Sequence, residues 1–290
     1  MKKYGVKAVV PMLVVALVLG LAVSGFSQGK WVFGVKGNIT WVQPLKAGGD
    51  FAQDYNDLVD EWNIILEDWK EWLLLEDPEN EITIDLAEKI TRAYSIHAYA
   101  ERRIGQRWAL RATGEYLWSN QSTSSYNAYY FDRWWLNDHW WEDWWTDTYD
   151  DTMRASAWKL AIAPRFIIPV GRMVLNVGGG PFYFSTRTSY TEHAKVVGDW
   201  FGELLSSTSD LTLTGSGWGY YLDFELKFKL SDRMAMNVEV GYESTPKITT
   251  SGVETITGED KLGPIDEEYD WEGASDWTGF YVAVSLEFDI

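Results

Sequence analysis

Residues 218–230 read WGYYLDFELKFKL. Every second side chain is large and apolar: Trp218, Tyr220, Leu222, Phe224, Leu226, Phe228 and Leu230 share one side. Gly219, Tyr221, Asp223, Glu225, Lys227 and Lys229 share the other. Side chains alternate faces along a strand, so a period of two sustained this long specifies a β-strand with one apolar and one polar face. Residues 108–118 repeat the theme. Trp108, Leu110, Ala112, Gly114, Tyr116 and Trp118 oppose Ala109, Arg111, Thr113, Glu115 and Leu117.

The same alternation predicts eight strands, at about 30–43, 90–104, 106–119, 154–169, 171–187, 212–231, 233–247 and 277–289. Three connections are tight: Ile104-Gly105-Gln106, Pro169-Val170-Gly171-Arg172 and Ser231-Asp232-Arg233. The other four, 44–89, 120–153, 188–211 and 246–276, are long. Short turns at one end and long loops at the other are the pattern of an up-and-down barrel in an outer membrane. The expectation is an all-β, eight-stranded antiparallel transmembrane barrel with one helix in its first long loop. An even strand number returns both termini to the short-turn, periplasmic side.

Alternation alone does not say which face lies inside, and a soluble barrel would turn its apolar face inward. Three features favour the opposite. The apolar face is too bulky for the narrow interior that eight strands enclose. Aromatic residues bracket it: Trp31 and Trp41, like Trp108 and Trp118, stand ten residues apart. Ten steps of ~3.3 Å, tilted by ~45°, rise roughly 23 Å, close to the apolar band of an outer-membrane barrel. Charge is also segregated. The long loops hold 34 acids and 7 bases, whereas the strands and tight turns hold 9 acids and 15 bases. The abundance of Trp, 18 residues, suits a lipid–water boundary.

The N-terminus reads as an export signal over 1–27. Lys2, Lys3 and Lys7 precede an apolar run from Ala8 to Val23 and small residues near Gly25 and Ser27. The barrel domain is then 28–290. The net charge is −18, or −21 without those three lysines, and this excludes nucleic acid as an expected partner. Cysteine is absent, which removes disulfides and thiol chemistry.

In this arrangement the chain resembles the small outer-membrane barrels of the OmpA transmembrane-domain and OmpW type. The resemblance lies in architecture and in the last strand. Phe280, Val282, Val284, Leu286 and Phe288 alternate into the C-terminus, similar to the signal read by the barrel-insertion machinery. Asp289 and Ile290 follow, where that family ends on the aromatic. The resemblance implies outer-membrane lipid and the insertion machinery as partners.

Phase places Lys36, His97, Glu101, Arg111, Glu115, Lys159, Arg165, Asp223, Glu225, Lys227 and Glu239 in the lumen. Buried charge must be paired or hydrated, so mixed signs predict ion-pair ladders that plug the barrel. Ser95 and His97 share a face with Glu101, but the same phase turns them away from lipid, so no residue is assigned to catalysis. No cofactor or metal site is expected; the acidic loops match no calcium-loop spacing. In the first loop, Phe51, Tyr55, Leu58, Trp62, Ile65, Trp69 and Trp72 repeat at helical spacing, widened by Val59, Leu66 and Leu73. In the second, Trp134, Trp135, Trp140, Trp141, Trp144 and Trp145 stand among acids. This external aromatic cluster reads as a cap over the barrel mouth or a surface for a ligand or partner protein. Three functions remain open: a plugged structural or surface-binding barrel, a narrow porin-like channel, and a lipid-modifying barrel enzyme.

Overall fold

A computed structural model describes residues 31–42, 50–90, 92–136, 139–275 and 277–289. The expected signal segment lies outside these residues. The described chain is antiparallel β-structure with one helix. In chain order come β1 (Trp31–Val42), α1 (Asp50–Glu76), β2 (Glu81–Asp85), β3 (Ala93–Arg103), β4 (Trp108–Ser119), β5 (Ser122–Leu136) and β6 (His139–Val170). Then follow β7 (Met173–Gly198), β8 (Gly202–Lys229), β9 (Met234–Ser244), β10 (Ile248–Asp260), β11 (Gly263–Ser275) and β12 (Gly279–Asp289).

Among the described residues the strand number is therefore twelve, not eight. The pairing explains the difference. β1 pairs with both β3 and β12, and the ladder runs on through β4, β6, β7, β8 and β9 back to β12. These strands form a ring. The remaining strands, β2, β5, β10 and β11, extend it on one side. β5 pairs with the first half of β6 and carries β2 on its far edge. β10 pairs with the first part of β8 and carries β11.

Three of the four expected long loops are thus mostly strand. β6 has 32 residues, β7 has 26 and β8 has 28. Ser122–Tyr130 is rich in Ser and Tyr and Leu205–Thr214 in Ser and Thr, of which Thr and Tyr favour strands. They lack an apolar–polar alternation because neither of their faces meets a uniformly apolar surround.

Around the ring, the outward side chains form an exposed apolar belt that includes Val35, Ile96, Ile162, Leu222, Phe224, Val240 and Val284. Aromatic residues border it at two levels. Trp108 packs on Phe166 at one, and at the other Tyr183 packs on Trp218 and Tyr242 on Phe280. The tight hairpins lie beyond the first level. Gly171 takes φ +61° in the β6–β7 turn, a left-handed conformation that glycine adopts without steric cost.

α1 packs along the extended sheet and meets β2 and β11, one at each end of the sheet order. Trp69 sets its ring edge-on to Tyr126 and Tyr130, and Trp62 meets Tyr149. Asn63 ties the helix down by a pair of bonds to the Ala87 backbone. The buried line is Val59, Leu66 and Leu73, while Leu58, Ile65 and Trp72 remain more than half exposed. The broad apolar stripe read from the sequence is thus buried only along one narrow edge.

Candidate functional site

The polar phase of the ring strands sends its side chains into the lumen, and all of the expected inward charges lie there. Lys36, Glu101, Arg111, Glu115, Lys159, Arg165, Asp223, Glu225 and Glu239 are buried, and the Lys227 side chain is 11% exposed. Some pairs are neighbours in register: Glu101 stands opposite Arg111, and Glu115 opposite Lys159. Others form only because the sheet closes. Arg111 on β4 reaches Glu225 on β8 with two parallel bonds of 2.8 and 3.1 Å and gives a third, at 2.9 Å, to Glu101. A two-pronged guanidinium–carboxylate pair is among the strongest of polar contacts.

Glu225 and Glu239 are direct cross-strand partners, an arrangement that repulsion opposes. Cations from other strands compensate. Lys36 bonds Glu239, and Arg165 approaches Asp223 at 2.9 Å and Glu225 at 3.6 Å. Lys159 lies 3.1 Å from Glu115 and bonds Glu243 on β9. Lys227 pairs with Glu287 on β12.

Several members of this network lie outside the expected set: Glu243, Glu287, Tyr99, Tyr281, Asn176 and Asn237. All follow the polar phase of their strands, so alternation could have found them. Tyr99 needs more than phase. Its ring lies across Gly34, its register partner, where an added Cβ would come within 2.3 Å of ring atoms. Tyr281 lies across Gly241 in the same way. The two glycines admit bulky rings into a narrow interior. Arg111 stacks on Tyr99, 4.0 Å from the ring centre.

Toward the outer level of aromatics the lumen becomes apolar. Leu117, Met153, Phe182, Phe184, Ile248 and Trp277 pack together there, with the Trp277 Nε1 donating to Thr186 at 3.1 Å. A cavity among the charges, touched by Phe182 of this layer, holds about 30 Å³ of free space. At ~10–15 Å³ for each water centre, that admits two or three waters.

Ser95, His97 and Glu115 do meet. The Ser95 hydroxyl is 2.8 Å from His97 Nε2, and Glu115 is 3.0 Å from the same nitrogen. A serine relay requires the base to face serine with one ring nitrogen and carboxylate with the other. Here both press on Nε2, inside the lumen and away from the outer belt. Glu101, the carboxylate suggested by the sequence, belongs to Arg111 instead.

The external aromatic cluster lies on the projecting β5–β6 hairpin. Trp134 pairs in register with Trp141, and Trp135 with Trp140, at the far end of the β5–β6 hairpin. Their side chains lie outside the described ones. Trp144 packs on Tyr129 and Phe131, and the buried Trp145 stacks on Phe201. Trp145 and Trp144 stand eight and nine residues beyond Met153 along β6, whereas Trp277 packs in the apolar cluster that contains Met153.

The inner side of the projecting sheet is aromatic and acidic. The Tyr190 hydroxyl donates to Glu192 at 2.6 Å, and Tyr126 donates to Asp147 at 3.3 Å. Burial, reinforced by the bond to Glu192, pushes the Tyr190 hydroxyl well above its ordinary pKa. Burial, with Asp147 and Asp132 adding to it, pushes Tyr130 up to about 12. Burial also raises Asp147. Among the described residues, no cluster of His, Cys, Asp and Glu has the geometry of a metal centre.

No protein-family model matches the chain, and no curated protein matches it. Among solved structures it is similar to OprG from Pseudomonas aeruginosa, with 9% identity and TM-score 0.38 over 92% of this chain and 98% of that one. It is similar to a major outer membrane protein from Thermus thermophilus, with 8% identity and TM-score 0.35 over 90% and 99% of the two chains. It also matches the Escherichia coli outer membrane protease OmpT, with 8% identity and TM-score 0.26 over 92% and 99%. These structural neighbours are outer-membrane β-barrel proteins.

Proposed function

We propose that the ring of β1, β3, β4, β6, β7, β8, β9 and β12 is the transmembrane unit of a bacterial outer-membrane protein. Its lumen is closed, and its role is to hold the acidic, aromatic outer sheet outside the cell as a structural and ligand-binding surface. The exposed apolar belt between two aromatic levels supports the membrane placement. The short hairpins and both termini belong on the periplasmic side, and the extended strands outside. The alternation of Phe280 through Phe288 suits delivery by the barrel-insertion machinery.

One observation carries the closed-lumen reading: salt bridges cross from wall to wall beside an apolar layer, and the cavity among them holds about 30 Å³. A hydrated ion has no continuous path through such a cross-section. The Ser95–His97–Glu115 geometry supports a role other than acyl transfer. Planar-bilayer recording of the refolded protein tests the proposal. The expected record shows no steady current. Large, long-lived openings from the unmodified chain would replace it with a porin-like channel.

A further inference from the structure

On the outer side of β6 and β7, two arginines stand together just beyond the aromatic level that holds Trp158, Tyr183 and Trp218. Arg154 lies four residues beyond Trp158 on β6, and Arg187 lies four residues beyond Tyr183 on β7. Their chain neighbours Met153, Ala155, Thr186 and Thr188 are buried, so alternation turns both arginines outward, and both are exposed. Register makes them neighbours. Arg154 is opposite Ser189 and Arg187 is opposite Ser156, so the two form a diagonal pair on one face, ~7–8 Å apart at the backbone.

The surround is hydroxylic. Arg154 Nε donates to the Ser189 hydroxyl, and an Arg187 terminal nitrogen donates to the Thr212 hydroxyl, each at 3.3 Å. On β8, Thr212 and Thr214 stand opposite Ser189 and Arg187. The first acid farther out on this side of β8, Asp210, accepts the Thr191 hydroxyl at 2.9 Å. Two guanidinium groups side by side repel each other, and an anion bridging them turns that repulsion into attraction. The guanidinium fork matches the oxygens of a phosphate, and hydroxyls can donate to those that remain.

Height above the apolar belt supplies the source of the phosphate. Four strand residues of ~3.3 Å, tilted by ~45°, rise roughly 9 Å beyond the aromatic level. Lipid headgroups occupy ~5–8 Å beyond the hydrocarbon on each side, and a long arginine side chain spans the small difference.

We propose that Arg154 and Arg187, with the hydroxyls of Ser156, Ser189, Thr212 and Thr214, form an external site for a phosphate group of an anionic outer-leaflet lipid. The proposal rests on the membrane placement of the ring and gives one stretch of its rim a lipid class.

The test is native mass spectrometry of the full, refolded protein in non-ionic detergent, titrated with diphosphoryl lipid A. Saturable binding of one lipid per chain is expected. The Arg154→Gln/Arg187→Gln double variant should bind at least about tenfold more weakly, having lost two charge-assisted contacts. Arg172→Gln/Arg233→Gln, which removes two exposed arginines from the tight hairpins, should bind like the parent. Lipid A stripped of its phosphates should bind the parent no better than diphosphoryl lipid A binds the double variant. Both target arginines are exposed and the two single variants carry the same test, so a double variant that fails to refold does not end it. Equal binding by parent and variants, or equal binding of the stripped lipid, would overturn the proposal. Displacement of the lipid by an equal concentration of inorganic phosphate would overturn it in favour of a free-phosphate site. Insertion of a Leu222→Arg variant reads the membrane placement separately, so either reading can fail alone.

Discussion

Replacing Arg111 with Met is the sharpest test of the lumen network. Arg111 is 1% exposed and makes hydrogen bonds of 2.8, 3.1 and 2.9 Å to Glu225 and Glu101. Methionine fills similar space but leaves both carboxylates buried without their main cation. The remaining cations stand farther off: Arg165 is 3.6 Å from Glu225 and 3.9 Å from Glu101, and Lys36 is 3.9 Å from Glu225. Removing one partner of a buried pair costs ~3–5 kcal/mol, mostly the penalty on the stranded charge. With a urea m-value of ~3 kcal/mol/M, the unfolding midpoint in lipid vesicles should fall by roughly 1–1.7 M. Lys195→Met is the control. Its pair with Glu203 is about half exposed on both sides, and such pairs contribute ~0–1 kcal/mol. Adding Glu225→Gln to Arg111→Met should restore part of the loss, because one stranded charge is removed. If Arg111→Met unfolds at the same midpoint as Lys195→Met, the lumen charges do not hold the barrel together.

Two further outcomes follow from the placement of the ring. Leu222 is half exposed in the apolar belt, so Leu222→Arg should cost ~2–4 kcal/mol of insertion stability near the bilayer midplane. Refolding yield and urea midpoint equal to the parent's would show that this face does not meet lipid. Lys261 occupies the exposed turn between β10 and β11, so trypsin added to intact cells should cut after it. A cut there only after permeabilisation would reverse the orientation.

The ring strands were legible in the sequence because each separates two very different surroundings. Trp218 to Leu230 alternates as it does because one face meets an apolar exterior and the other a narrow charged interior. The same phase placed Arg111, Lys159, Asp223 and Glu225 inside and would equally have placed Glu243 and Glu287. The extensions were not legible in this way. In β5, β10, β11 and the outer parts of β6, β7 and β8, neither face has a uniform surround, so Ser, Thr, Tyr and acids mix without period and resemble loop. Composition hinted at strand through Thr and Tyr, but composition carries no register.

What the sequence determined by itself, then, is the strand identity of the ring and the sign of each face, since both follow from local periodicity. Tertiary structure alone decided who pairs with whom. Arg111 and Glu225 are 114 positions apart and meet only because the sheet closes. The fit of Tyr99 over Gly34, the apolar layer around Trp277, and the opposition of Asp151 to Glu192 likewise depend on register between distant strands. A one-residue slip of register would turn each of those side chains to the other face, so no local pattern can encode such contacts.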